Sequence, residues 1–326
     1  MHLAMRIGLI AVVLLLVAPA WYAEDKQKEP SAPTIKVDVD LVLVTATVTD
    51  PQNRYVTGLS SEHFQIWEDK VEQKIDYFSS EDTAISLGMV FDISGSMEEG
   101  LSAARDAAVT FLKRGSPEDE YFLVEFSDRA RVAEDFTSDI ARLQNHLIFS
   151  PAKGRTALLD ALYLALAKVK EGRNPRKAVL MITDGEDNHS RYSFSDVKEF
   201  AREQDVQLYA IGIVEGGYVD YRRLRMESLG RSLIEELTGL TGGRAFFPDS
   251  VYELEDICAR IALELSNQYV LGYASTNAAK DGRWRKIHVK VNPPKGFPRL
   301  TVRAKAGYYA PSANLTQTTN LTERRP

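Results

Sequence analysis

The spacing of hydrophobic residues changes twice along this chain. Apolar and β-branched residues dominate positions 37–48, and Phe64-Gln65-Ile66-Trp67 forms a second strand-like segment before a turn at residues 68–70. From about residue 84, short apolar runs alternate with segments of helical period, and after residue 266 the period returns to two. The pattern therefore predicts strands, then alternating strands and helices, then strands again.

The middle region, residues 84–266, alternates between the two element types along its whole length. The continuous apolar run at 86–91 predicts a strand that is covered on both faces. Further strands are predicted at 121–126, 178–182, 206–214 and 244–247, and helices are predicted to begin at Leu101, Leu158, Ser195, Ser232 and Tyr252. The hydroxyl of Ser195 is expected to cap its helix. This order predicts a doubly wound α/β domain with a mostly parallel sheet, similar in layout to Rossmann-like folds.

The regions on either side of this domain have the two-residue period of half-buried antiparallel strands. The alternating sets are Tyr269, Leu271 and Tyr273; Ile287, Val289 and Val291; and Leu300, Val302 and Ala304. We expect these strands to pair with those of residues 36–83. The α/β domain, 84–266, would then be inserted in a small antiparallel β-unit whose second part is 267–310.

Both ends of the chain differ in character from the rest. His2 and Arg6 precede an apolar run from Ile7 to Val17, and Ala18-Pro19-Ala20 follows. The run is shorter than the roughly 20 residues of a membrane-spanning helix. Residues 1–20 are therefore predicted to be a signal peptide, with export to the periplasm or the cell exterior and no membrane insertion after cleavage; an uncleaved anchor is the alternative. A linker at 21–35 and a flexible tail at 311–326 complete the predicted organisation.

Composition narrows the classes of protein that remain. The 326 residues are 44% hydrophobic and 26% charged, as in ordinary globular proteins. The net charge of −6 argues against nucleic acid as a partner, because phosphate binding needs clustered Lys and Arg. Cys258 is the only cysteine, so no intrachain disulfide can form. Its helical spacing predicts a small core residue.

Oxygen-bearing side chains occur at three places, each at the end of a predicted strand or just before a predicted helix. The segments are Asp92-Ile93-Ser94-Gly95-Ser96, Gly154-Arg155-Thr156 and Thr183-Asp184-Gly185. Open parallel sheets bind ligands beyond the carboxyl ends of their strands, so we expect these loops to converge. The carboxylates of Asp92 and Asp184 and the hydroxyls of Ser94, Ser96 and Thr156 form an all-oxygen set, which suits Mg²⁺ or Mn²⁺ better than Zn²⁺. Two carboxylates balance the charge of the ion, and a partner's carboxylate can complete its coordination.

This arrangement of residues resembles a known motif. Asp92-x-Ser94-x-Ser96 with Thr156 and Asp184 is similar to the metal-ion-dependent adhesion site of von Willebrand factor type A domains. The resemblance covers about 84–266 and implies that the three hydroxyls contact the metal, whereas the two aspartates act largely through bound water. The flanks resemble exported bacterial proteins of the VWFA-related Acidobacterial domain family. The segments that carry this second likeness are Val48-Thr49-Asp50, Val56-Thr57-Gly58-Leu59, Phe64-Gln65-Ile66-Trp67-Glu68-Asp69, Leu271-Gly272-Tyr273, Asp281-Gly282-Arg283-Trp284-Arg285-Lys286-Ile287 and Gly307-Tyr308-Tyr309-Ala310-Pro311.

Three classes of function remain open. The leading one is a non-enzymatic binding or adhesion module, whose metal coordinates an Asp or Glu carboxylate of a protein partner. The second is a structural or assembly component of a cell-envelope complex, contacted mainly through the β-unit. The third, a metal-dependent hydrolase, is the weakest, because no general base is placed beside the predicted metal and the G-x-S-x-G motif is absent. His189 is interpreted as an exposed loop residue, and no catalytic residue is predicted. The ligand and the oligomeric state do not follow from the sequence.

Overall fold

The computed structural model describes residues 41–213 and 221–312, with only the main chain described for 221–229. The predicted signal peptide, the linker and the tail beyond residue 312 lie outside these residues. The strands are β1 (Leu41–Thr49), β2 (Phe64–Glu68), β3 (Val71–Gln73), β4 (Tyr77–Ser79), β5 (Ile85–Asp92), β6 (Glu120–Phe126), β7 (Ala130–Thr137), β8 (Arg176–Thr183), β9 (Gln207–Gly212), β10 (Ala245–Phe246), β11 (Tyr269–Ala274), β12 (Trp284–Val291), β13 (Thr301–Ala304) and β14 (Gly307–Tyr309). The helices are α1 (Leu101–Leu112), α2 (Ile140–Phe149), α3 (Leu158–Lys168), α4 (Phe194–Glu203), α5 (Tyr221–Thr241) and α6 (Leu254–Ser266).

The central sheet has the strand order β10-β9-β8-β5-β6-β7. All neighbours in it are parallel except β6 and β7, which are antiparallel. Every residue of β5 is buried, which explains why its sequence is a continuous apolar run instead of an alternating one. The mostly parallel α/β fold expected from the sequence is confirmed.

Helices cover both faces of the central sheet. Apolar residues of α1, α2 and α6 pack with one set of strand side chains, and those of α3, α4 and α5 pack with the other set. Cys258 belongs to the first of these cores and is fully buried, as its helical spacing predicted. Two separate cores, one on each face, are what a doubly wound sheet requires.

The flanking strands form two antiparallel sheets, which we call the β-sandwich. Their orders are β13-β1-β11-β4 and β14-β12-β2-β3. The strand β1 pairs with β11 and β13, and β2 pairs with β12, so both sheets combine strands from before and after the central domain. A single apolar core joins the two sheets; it includes Val44, Ile66, Leu271 and Val289. The expected pairing between the two flanks is confirmed.

Several elements differ from the sequence-based expectation. The edge strand β7 and the helix α2 were not expected; β7 has a single buried residue, Glu134, so it lacks an apolar period. The helix α4 is capped by Ser193, not Ser195, and Asp196 completes a capping box with it. The helix α5 begins at Tyr221, well before the expected start at Ser232.

A search of the described residues for an apolar helix that is long enough to cross a membrane finds none.

Candidate metal centre

The three predicted loops meet where the strand order of the central sheet reverses. The chain passes from β5 to its neighbour β6 on one side, and later to β8 on the other side. Because the strands are parallel, the loops after β5 and β8 leave the same edge of the sheet side by side. Such a switch point is where doubly wound sheets form their ligand sites.

The first loop is organised by the carboxylate of Asp92, the last residue of β5. Its Oδ1 accepts a hydrogen bond from the Ser94 main-chain nitrogen at 2.8 Å, and the loop then turns so that Ser94 Oγ and Ser96 Oγ are 3.0 Å apart. Asp92 and Ser94 are fully buried, whereas Ser96 is half-buried. Two hydroxyls thus lie together above a buried carboxylate.

The second loop, which carries Thr156, contacts the first through the main chain. The Gly95 nitrogen donates to the Gly154 carbonyl at 3.0 Å. Gly154 has a φ of +84°, and a Cβ at this position would lie 2.6 Å from Asp128 Oδ2. The positive φ and the closeness of the Asp128 carboxylate therefore both favour a glycine at residue 154. Thr156 itself is buried.

The third loop joins the other two. The Thr183 hydroxyl donates to Asp92 Oδ2 at 2.7 Å, and Asp184, the next residue, is half-buried. Further along, Asn188 Oδ1 accepts from the Thr156 nitrogen at 3.0 Å, while the Asn188 nitrogen donates to the Thr156 carbonyl at 3.0 Å. The three segments that carry the five predicted residues are thus tied together by hydrogen bonds between loops.

Negative charge accumulates at this edge of the sheet. Burial raises the pKa of Asp92 to about 7, and repulsion from the Asp184 carboxylate adds to this rise, although hydrogen bonds from Ser94 and Thr183 oppose it. The charge of Asp184 thus disfavours the ionised form of Asp92. A bound divalent cation would remove this repulsion.

The chemistry of the donor set fits a hard divalent cation. Asp92, Ser94, Ser96, Thr156 and Asp184 offer only oxygen atoms, which Mg²⁺ and Mn²⁺ prefer. In the described part of the chain, no three His, Cys, Asp or Glu side chains come together as a metal cluster. The five residues here are of another kind, two carboxylates with three hydroxyls, and they would hold the ion with water in the remaining positions.

The sequence did not reveal the residues that position these donors. Asp187 Oδ1 accepts from the Leu158 nitrogen at 2.9 Å, so it caps α3 from a distant loop and is not merely a solvated loop charge. Thr183 positions Asp92, and Asn188 positions Thr156, in each case through a hydrogen bond. Asp187, Thr183 and Asn188 all lie close to Asp184 in the chain. This local concentration of polar residues was the feature of the sequence that could have indicated their role. His189 is half-buried, and its nitrogen donates to the Thr156 carbonyl at 3.0 Å.

Comparison with known proteins adds independent information. The model of the von Willebrand factor type A domain family matches residues 87–186. No curated protein matches the chain. Among solved structures, an aerotolerance-related membrane protein from Bacteroides fragilis is 20% identical, with 56% of this chain and 98% of that one covered and a TM-score of 0.45. A von Willebrand factor type A protein from Catenulispora acidiphila is 12% identical, with 87% and 76% covered and a TM-score of 0.47.

A third similar structure is proximal thread matrix protein 1 from the mussel byssus, whose metal-ion-dependent adhesion site is described as occupied by zinc. It is 19% identical, with 61% of this chain and 49% of that one covered and a TM-score of 0.48. The likeness of the flanks to the Acidobacterial family stays a prediction. The family match spans the Asp92 and Asp184 loops, so residues 87–186 of this chain are similar to von Willebrand factor type A domains, and the doubly wound order of the sheet agrees with that likeness.

Proposed function

We propose that this chain is an exported, non-enzymatic binding protein with a metal-dependent adhesion site. Asp92, Ser94, Ser96, Thr156 and Asp184 hold Mg²⁺ or Mn²⁺ at the carboxyl edge of the central sheet. An Asp or Glu carboxylate of a protein partner completes the coordination of the ion. The division of the chain at residues 84 and 266 is part of the same proposal, with the β-sandwich as the base that carries the site.

One observation carries this proposal: the hydrogen bonds that join all three donor loops at the switch point. The Thr183 hydroxyl links the β8 loop to Asp92 at 2.7 Å, and the main chain links Gly95 to Gly154 at 3.0 Å. Donors that are held in place before the ion arrives lose little conformational entropy on binding it. The partly exposed position of Ser96 leaves the site accessible to a partner's side chain.

The first experiment measures metal binding directly. Mn²⁺ is titrated calorimetrically into the metal-free full chain and into the variant Asp184→Ala. We expect one ion per chain for the wild type and an affinity at least about tenfold lower for the variant, since even residues that act on a metal through water or through other ligands contribute about this much. Ser96→Ala, which removes only a half-buried hydroxyl, should weaken binding as well.

A matched control removes an aspartate elsewhere. Asp106 is exposed on α1, and Asp106→Ala should bind Mn²⁺ like the wild type. Equal affinities for Asp184→Ala and Asp106→Ala would contradict the proposed site.

The second experiment identifies the type of partner. The full chain is used to capture proteins from the native cell envelope with either Mg²⁺ or EDTA present, beside Asp184→Ala. Capture that is lost with EDTA and with the variant supports the adhesion module. Capture that survives both, but is lost when surface residues of the β-sandwich are changed, would instead favour an assembly component. Ester or phosphoester hydrolysis in proportion to added Mg²⁺ would contradict the non-enzymatic proposal.

A further inference from the structure

A cavity of about 330 Å³ lies at the opposite end of the central sheet from the candidate metal centre. Arg176 and Lys177, at the start of β8, form part of its wall, whereas Asp184 follows the end of that strand. At 3.3 Å per residue, β8 separates the two places by about 25 Å. The volume lies within the range of small-molecule sites, about 300–1,000 Å³. The cavity is therefore a separate site, between the β-sandwich and the central sheet.

One wall of the cavity is a face of the β-sandwich with an unusual composition. Antiparallel strands with one face in water normally alternate apolar and polar residues. In β1, however, Val44 and Ala46 point into the sandwich core while Leu41 and Leu43 line the cavity on the other face. Leu41, Leu43 and Tyr77 are 41%, 38% and 48% exposed, which is high for large apolar side chains. Apolar surface of this kind marks a place where another apolar group binds.

The leucine side chains of this wall depend on a glycine in the neighbouring strand, which leaves space for them. Gly272 of β11 lies between β1 and β4, opposite Leu43 and Tyr77. A Cβ at this position would lie 2.3 Å from Leu41 Cδ2 and 2.9 Å from Tyr77 Cβ. The leucine side chains can lie across the sheet only because residue 272 has no side chain.

The opposite wall contains two N–H groups that have no hydrogen-bond partner among the described residues. Gln207 Nε2 and Arg202 Nε are buried and lack hydrogen bonds to any described residue, and both residues line the cavity. A buried N–H group without an acceptor is costly, and native proteins rarely contain one. An acceptor atom of a ligand would satisfy them.

The charges around the cavity favour an anion. The lining contains one negatively charged residue, Asp205, and four positively charged residues, namely Arg176, Lys177, Arg202 and Lys305. Three of these cations already have carboxylate partners, since Lys305 pairs with Asp205, Arg176 with Asp82 and Arg202 with Glu199. Lys177 Nζ instead donates to the carbonyls of Gly172 and Asn174 at 2.6 and 2.9 Å, so it is the cation of this lining that can still attract an anion. Burial lowers the pKa of Lys177, although the Glu120 carboxylate opposes this change.

We propose that this cavity binds a single-chain aliphatic carboxylate, a fatty-acid-like anion. Its hydrocarbon chain packs against Leu41, Leu43 and Tyr77. Its carboxylate accepts hydrogen bonds at the wall of Gln207 and Arg202, where Lys177 adds positive charge. A neutral lipid would leave this charge unbalanced, and a small polar anion would leave the apolar wall exposed.

The test titrates dodecanoate, below its micelle concentration, into the metal-free full chain and measures binding by calorimetry. We expect saturable binding of one molecule per chain, and binding of dodecanol at least about tenfold weaker, because hydrogen bonds to a charged group contribute at least a factor of ten. Leu43→Glu places a negative charge on the apolar wall and should weaken dodecanoate binding at least about tenfold. Leu263→Glu, which changes an exposed leucine on α6, is the matched control and should bind like the wild type.

A second variant keeps the test decisive if Leu43→Glu fails to fold. Gln207→Leu removes an unpartnered amide without changing size greatly, so it should weaken dodecanoate binding and leave dodecanol binding unchanged. EDTA and Asp184→Ala should not alter either affinity, which separates this site from the metal centre. The absence of saturable dodecanoate binding, or equal affinities for dodecanoate and dodecanol, would overturn the proposal.

Discussion

The two ends of the central sheet differ in where their charged groups lie and in what those groups contact. At the carboxyl end, three loops hold one another by hydrogen bonds and bring carboxylates and hydroxyls together at a partly exposed edge. At the amino end, the β-sandwich covers the sheet, and the contact between them contains both a buried charged group, Glu264, and an apolar cavity. Carboxylates are thus placed at an edge that a ligand can reach at the carboxyl end, whereas at the amino end the charge of Glu264 is compensated by groups from both parts of the molecule.

Glu264 shows how this compensation is achieved. This residue of α6 is fully buried, and it accepts hydrogen bonds from Thr47 of β1 at 3.1 Å and from Tyr209 of β9 at 2.8 Å. Arg303 of β13 forms an ion pair with it. Burial, together with the Glu264 carboxylate, raises the pKa of Tyr209 well above its usual range, so the phenol stays a donor. One carboxylate thus connects a helix and a strand of the central domain with two strands of the β-sandwich.

The largest expected effect comes from removing this carboxylate. Glu264→Ala leaves Arg303 and two hydroxyls without their partner in a buried place, so we expect the free energy of unfolding to fall by about 3 to 5 kcal/mol. Urea unfolding measures it. Glu255→Ala, at an exposed position of the same helix, should change stability far less. Equal losses in the two variants would show that the junction does not depend on Glu264, and unchanged Mn²⁺ affinity would confirm that the two ends are independent.

An intermediate effect is expected at the carboxyl end from Thr183→Val. The substitution keeps the side-chain shape but removes the hydroxyl that donates to Asp92 Oδ2 at 2.7 Å. Loss of a buried hydrogen bond to a charged group should lower the free energy of unfolding by about 2 kcal/mol. The affinity for Mn²⁺ should fall about tenfold, because residues that orient metal ligands contribute on this scale. Thr301→Val, at an exposed strand position, is the control, and the same Mn²⁺ affinity in both variants would argue against a positioning role for Thr183.

The smallest of these effects is expected from Gly154→Ala. A φ of +84° disfavours alanine by about 1 kcal/mol, and the added Cβ would press on Asp128, which accepts a hydrogen bond from the Arg155 nitrogen next to Thr156. Gly296→Ala provides a matched control, since its φ is +91° but no atom lies within 4 Å of the new Cβ. Thermal unfolding should show similar losses for both, whereas Mn²⁺ titration should show weaker binding for Gly154→Ala alone. Weaker binding in both variants would mean that loop contact at Gly154 is not important.

Much of this architecture follows from local sequence patterns. The all-apolar run of β5 and the two-residue period of β12 predicted a buried parallel strand and a half-buried antiparallel one, and both are observed. The five oxygen-bearing residues were also predicted, since each follows a strand or precedes a helix at one edge of the sheet. These features depend on backbone geometry and on the burial of residues that are neighbours in the chain. Both produce a recognisable pattern within a short stretch of sequence.

Other features depend on contacts between distant parts of the chain and left no local trace. The edge strand β7 and helix α2 escaped prediction because β7 is largely exposed and has no apolar period. Asp187 caps a helix that begins 29 residues earlier, and Glu264 meets Thr47 across 217 residues. The cavity likewise exists only because β1, β9 and β12 bring Leu43, Gln207 and Trp284 to one place. Residue type and spacing determined most of the elements and which oxygen atoms lie at the carboxyl edge of the central sheet. Only tertiary packing decided which buried groups are paired, because pairing depends on distances that the order of residues does not contain.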